Sequence, residues 1–170
     1  MVLFIAGSSH TGKTLLAQRL LEQHGWPYLS IDLLKMGLIR SGQTALTPGD
    51  DAQLTEYLWP IVREIAKTAI ENGQNLILEG CYIPFDWQTS FDEAYQKQLR
   101  YVCLIMTPDY IASHGRESLS HANDIEHRLD DSSLNLDRLA EENAFNLEQC
   151  QKYGCEYILI DGEYKVEVSR

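Results

Sequence analysis

The stretch Val2-Leu3-Phe4-Ile5-Ala6-Gly7-Ser8-Ser9-His10-Thr11-Gly12-Lys13-Thr14 decides the fold of everything that follows it. Val2–Ala6 is an apolar run of strand length, and Leu16, Leu20 and Leu21 then recur at helical spacing. Between strand and helix, Gly7 to Thr14 match Gly-x-x-x-x-Gly-Lys-Thr in full, in the context a phosphate-binding loop requires. Gly7 and Gly12 permit backbone angles that turn successive N–H groups into a concave anion cradle. A helix beginning near Lys13 adds its positive amino-terminal end. Lys13 is placed to reach the β- and γ-phosphates, and Thr14 to offer its hydroxyl to Mg²⁺. Ser8, Ser9 and Thr11 complete the cradle, and His10 stands at a variable position as a passive loop residue.

Further strand-length runs lie at Tyr28–Ile31, Asn75–Leu78, Arg100–Met106 and Glu156–Ile160. Leu54, Leu58, Ile61, Ile65 and Ala69 recur at three- and four-residue steps. Pro60 falls inside that pattern and predicts a kink, or two short helices joined there. A last helix is predicted near Leu134–Tyr153. Strands alternating with helices predict an α/β fold, a parallel sheet covered by helices on both faces. Ser41–Asp51 is rich in turn formers and reads as a loop. Ser113–Ser133 is polar and holds Arg116, His121, His127 and Arg128. Both stretches are either solvated surface or covers over a site at the carboxyl ends of the strands, where open α/β sheets bind ligands. Nothing marks a second domain. Residues 1–170 read as one unit, with an acceptor-side segment at about 33–60 and a lid at about 113–133.

A net charge of −11, from 14 Lys and Arg against 25 Asp and Glu, opposes broad binding to nucleic acid or anionic membranes. A phosphate ligand must therefore be held by a local cluster of donors. No apolar run approaches the ~18 residues of a membrane span. The amino-terminal residues lack a basic n-region, so they do not read as a signal peptide, and a cytoplasmic protein is expected. Among the four cysteines no Cys-x-x-Cys pair occurs. Cys81 and Cys103 sit in apolar stretches and are expected to be core thiols. Cys150 and Cys155 are expected to stay reduced in that compartment. Trp59, Trp87 and Tyr110 read as core or pocket residues.

Asp32 directly follows the second strand run and Glu79 the third. An acid there lies on the rim where the glycine loop opens, and can hold Mg²⁺ through water or take a proton from an attacking hydroxyl. The alternative for each is a cap on the following turn or helix. Lys35 and Arg40 come soon after Asp32, and Arg40 could grip a phosphate or carboxylate of the acceptor with two prongs. Arg116 and Arg128 could neutralise charge during transfer, or could pair with Glu126 and Asp130. Arg138 reads as an ordinary helix-surface residue.

In this order of elements the chain resembles the nucleoside-monophosphate-kinase-like branch of P-loop proteins. Glu79-Gly80-Cys81-Tyr82-Ile83-Pro84 is similar to the Glu-Gly-x-x-x-Pro stretch of 2-phosphoglycerate-kinase-like proteins. Asp32 resembles the acid that small-molecule kinases and zeta-type toxin kinases turn toward a substrate hydroxyl. Phe85 follows Pro84 where adenylate-kinase-type proteins carry an arginine, which argues against a nucleoside monophosphate acceptor. The resemblance implies a three-layer fold with a five-stranded parallel sheet in order 2-3-1-4-5, a lid that closes over the site, and use of ATP with Mg²⁺. The expectation is transfer of the γ-phosphoryl group to a hydroxyl of a small anionic metabolite. A nucleotide kinase, a toxin-like kinase and a nucleotide-binding regulator stand as alternatives.

Overall fold

The structure of the protein, a computed structural model, describes residues 1–120, 136–162 and 166, with the side chains of 116–120 excepted. The strands are β1 (Val2–Gly7), β2 (Tyr28–Ser30), β3 (Leu76–Glu79), β4 (Leu99–Met106) and β5 (Tyr157–Ile160). The helices are α1 (Lys13–His24), α2 (Ile31–Arg40), α3 (Asp51–Glu71), the one-turn α4 (Glu93–Gln96), α5 (Pro108–Ser120) and α6 (Leu136–Tyr153). The strands form one sheet in order β2-β3-β1-β4-β5, and every neighbouring pair is parallel. This is the order that the family resemblance implies.

Alternation along β1 splits the core in two. Val2, Phe4 and Ala6 face one apolar cluster, in which Leu54, Leu58, Val62 and Ala66 of α3 pack with Trp59, Trp87 and Phe91. Leu3 and Ile5 face the other, with Leu16, Ala17 and Leu20 of α1 and Tyr110 and Ile111 of α5. Burial on both faces is what makes a parallel sheet stable, and it explains why β1 and β4 read as continuous apolar runs.

Several expectations are corrected. Of the two alternatives at Pro60, two separate helices are excluded: α3 is one element of 21 residues that runs through the proline. Pro60 is exposed, so water can satisfy the carbonyl its missing N–H leaves free, and burial along one face outweighs the proline cost of ~3 kcal/mol. The buried stripe passes through Val62 and Ala66, whereas Ile61 and Ile65 are half-buried. Residues 113–120 belong to α5 rather than to an irregular segment. Cys81 is exposed, because the chain turns after Gly80 and sends Tyr82 and Ile83 inward instead. Cys103, Cys150 and Cys155 are buried free thiols. No helix of the described residues is long and apolar enough to cross a membrane.

Candidate active site

The carboxyl ends of β1, β2 and β3 bring three segments to one rim. β1 ends in Gly7 at φ 140°, where a Cβ would lie 2.6 Å from the Leu104 carbonyl oxygen and 2.8 Å from Thr11 Oγ1. Only glycine fits that close approach. Gly12, at φ 79°, turns the chain into α1. His10 is at φ 67°, the left-handed region that histidine tolerates better than most residues, which gives it a conformational place in the loop. Ser8 O accepts from Thr11 Oγ1 at 2.9 Å and from Lys13 Nζ at 2.7 Å. Lys13 is only 4% exposed, so its ammonium is folded against the loop's own main chain.

β3 delivers Glu79, which is 1% exposed. Thr14 Oγ1 donates to Glu79 Oε1 at 3.1 Å, so the hydroxyl after the loop lysine meets the strand-end carboxylate. The next residue, Gly80, donates its N–H to Ile5 O at 3.1 Å. A Cβ on Gly80 would come within 2.9 Å of Ile31 Cβ. Glycine therefore lets the β2–α2 junction settle onto the end of β3, which places Asp32, in the first turn of α2, on the same rim as Glu79.

From Asp32 a chain of polar contacts runs along the rim toward α3 and α6. Lys35 Nζ lies 2.6 Å from Asp32 Oδ1, one helical turn away, and donates to the Tyr82 hydroxyl at 2.8 Å. Tyr82 in turn donates to Asp51 Oδ1 at 3.1 Å, at the start of α3. Arg138 of α6 reaches Asp51 Oδ2 at 3.9 Å and holds Glu142 Oε1 at 2.9 Å. Burial, reinforced by the carboxylates of Asp32 and Asp51, holds the Tyr82 phenol far above its usual range, so it stays a neutral donor.

α6 is tied to both the sheet and the loop. Asn143 is buried; its Oδ1 accepts the Met106 N–H at 2.8 Å and its Nδ2 donates to Leu139 O at 2.8 Å. One turn later Asn146 Nδ2 donates to Ser8 Oγ at 2.8 Å.

The donor set suits a hard divalent cation. Thr14 and Glu79 offer a hydroxyl and a carboxylate, and Mg²⁺ is commonly bound by one or two such oxygens while it keeps waters and substrate phosphates. Among the described residues no group of three His, Cys, Asp or Glu side chains could cage a metal unaided.

A family model described as an AAA domain matches residues 2–139, which covers the loop, both strand-end acids and the start of α6. The chain belongs to this AAA-domain family. The fold of this AAA-domain protein is that of P-loop kinases. The deoxyadenosine kinase of M. mycoides, in a structure with dCMP and a flexible dCDP, is 12% identical over 95% of this chain and 90% of that one, with a TM-score of 0.57. A shikimate kinase from Bacteroides thetaiotaomicron is 16% identical over 95% of this chain and 85% of that one, with a TM-score of 0.55. At these identities the likeness is one of fold. No curated protein matches the sequence.

Within this AAA-domain fold, the loop Gly7–Thr14, Asp32 and Glu79 come together at one rim. Arg40 does not join them. It is the exposed last residue of α2, about 12 Å along the helix from Asp32 at 1.5 Å per residue. Arg116 lies on α5, and its side chain is outside the described set, as is the whole of Arg128. Lys35, Asp51, Tyr82 and Asn146 were not assigned from sequence. The signal for Lys35 was its position three residues after Asp32, which becomes a shared helix face once α2 starts at Ile31. Arg138 is an exposed residue of α6, as expected, and its guanidinium also comes within 3.9 Å of Asp51.

Proposed function

We propose that the chain is an ATP- and Mg²⁺-dependent phosphotransferase that moves the γ-phosphoryl group to a hydroxyl of a small, anionic acceptor. The observation that carries this reading is the buried Glu79 carboxylate bonded to Thr14, directly after a buried Lys13. Burying a carboxylate and an ammonium beside a glycine loop has a desolvation cost, and a ligand carrying both phosphate and a divalent cation would complement both charges. A magnesium nucleotide is such a ligand.

In this reading the loop amides, Ser8, Ser9, Thr11 and Lys13 grip the phosphates, and Thr14 with Glu79 holds the metal. Mg²⁺, when bound, neutralises charge on the β- and γ-phosphate oxygens. Asp32 orients the acceptor hydroxyl and takes its proton as the oxygen attacks phosphorus, a task for which a carboxylate on the rim is suited. Asp32 could also contact the metal through water. Lys35 supports an anionic acceptor, since its ammonium already lies between Asp32 and Tyr82 and could trade one of those contacts for an acceptor oxygen. Arg138 could do the same from Asp51. Arg116 and Arg128, between β4 and α6 in sequence, are the candidates for neutralising charge during transfer, and residues around them are the candidate lid. Arg40 would meet only the outer part of a larger acceptor.

Calorimetry with Mg-ATP, followed by a thermal-shift screen of hydroxylated anionic metabolites in its presence, tests the reading. Binding of Mg-ATP with a further rise in melting temperature from one acceptor class is expected. An absence of Mg-ATP binding, unchanged by Lys13→Ala, would overturn it.

A further inference from the structure

Ser8 is buried in the phosphate loop, and its hydroxyl oxygen accepts the Asn146 Nδ2–H at 2.8 Å. Asn146 is 138 positions away in sequence, on α6. A serine hydroxyl carries one proton and two acceptor lone pairs. With one lone pair filled by the Asn146 amide, the Ser8 proton is left to point elsewhere. The Ser8 carbonyl is occupied by Thr11 and Lys13, so the residue's main-chain oxygen is also fixed in place. The hydroxyl is thus aimed by a side chain from another element, at a position of the loop where an anion is expected.

The helix that supplies this contact is itself fixed. Asn143, one turn before Asn146, is buried and clamps α6 to the end of β4 through the Met106 N–H. Asn146 therefore approaches Ser8 from a rigid platform, and not from a surface side chain free to turn away. The same helix carries Arg138 toward Asp51 on the acceptor side.

We propose that Asn146 is a positioning residue for nucleotide binding: it holds the Ser8 hydroxyl so that Ser8 donates its proton to a phosphate oxygen. This rests on the phosphotransferase reading above, and uses a contact which that reading does not need. Losing a neutral hydrogen bond of this kind weakens binding by ~2- to 12-fold.

The test is a double-mutant cycle read by Mg-ADP and Mg-ATP titration calorimetry on the full chain. Ser8→Ala and Asn146→Ala are each expected to weaken binding by several-fold, and the double variant by no more than the larger single loss, because one hydrogen bond is being removed twice. Asn146→Asp is expected to weaken it further, since a carboxylate accepts and would draw the Ser8 proton away from the phosphate. Melting temperatures of the unliganded variants report folding, and Ser8→Ala, on a loop, serves if the α6 variants unfold. Additive losses, or Asn146→Ala binding as tightly as the parent while Lys13→Ala loses affinity, would overturn the proposal and leave the phosphotransferase reading standing. A parent protein that binds no magnesium nucleotide would overturn both.

Discussion

Thr14 Oγ1 donates a hydrogen bond to Glu79 Oε1 at 3.1 Å, and so joins the first turn of α1 to the last residue of β3 across the neighbouring strand. The pair is separated by 65 positions in sequence; parallel pairing of Ile5 with Glu79 brings the end of β3 beside the end of β1, from which the loop leads into α1. Glu79→Gln keeps the shape and removes the charge. The expected result is a Mg²⁺ requirement raised ~10-fold or more, with nucleotide binding in the absence of metal retained, as read by calorimetry across a magnesium series. The melting temperature of the unliganded variant reports separately whether the fold is retained.

Lys13→Ala should weaken nucleotide binding by ~10- to 100-fold, the scale of a charge-assisted hydrogen bond in a buried site. Its effect should be larger for the triphosphate than for the monophosphate. Titration with AMP, ADP and ATP separates the two, and equal losses for all three would contradict a role at the β- and γ-phosphates.

Asp32→Asn removes the proton acceptor at the rim while ATP binding stays intact. Turnover with a true acceptor should fall by ~10²- to 10⁴-fold. Lys35→Ala should instead raise the acceptor KM if, as proposed, Lys35 helps to bind the acceptor and takes no part in proton transfer. A variant pair that behaves the other way round would reverse these assignments.

Tyr82 supplies a pH signature. Its phenol is held above its usual value by burial first, then by Asp32 and Asp51. A raised folded pKa means that the folded state keeps this proton longer than the unfolded chain does. The stabilisation is present in full below the unfolded tyrosine value of ~10 and declines as pH rises beyond it. Tyr82→Phe should therefore flatten the fall in melting temperature between about pH 9.5 and 11, measured by calorimetric scans.

Two glycines provide a matched test of packing. Gly80→Ala would press a methyl against Ile31 and should cost ~1–3 kcal/mol, a drop of several degrees in melting temperature. Gly37→Ala, inside α2 with no atom within 4 Å of where a Cβ would sit, should stabilise by ~0.4–1 kcal/mol. Similar effects at both positions would mean that the junction under Asp32 is looser than described.

Much of this architecture was legible because local and global signals agree at β1. One strand, one glycine loop and one helix sit in consecutive residues, and each position of the motif has a conformational or electrostatic reason. Asp32 and Glu79 could be read for the same reason: an acid after a buried apolar run has few places to go but the strand's end. The acceptor side was harder. Lys35 becomes a partner of Asp32 only if Ile31 is helical, and a run of Tyr-Leu-Ser-Ile gives no hint of where strand becomes helix. Tyr82, Asp51 and Asn146 are brought in by packing between distant elements, and no periodicity encodes such contacts. Cys81 misled because apolar neighbours suggest burial, while the turn after Gly80 decides which of them face in.

The hold of Lys13 on the Ser8 carbonyl has a thermodynamic consequence. The main-chain carbonyl stands in for an anion's oxygen, so the lysine is held folded against the loop and not left to find its place when a nucleotide arrives. Association is then an exchange of one acceptor for a better one, with little side-chain entropy left to lose. The net gain from this lysine is correspondingly smaller than the gross strength of its contact, and singly charged anions such as chloride should displace the carbonyl less well than a polyphosphate. Discrimination among anions is in that sense built into the resting loop.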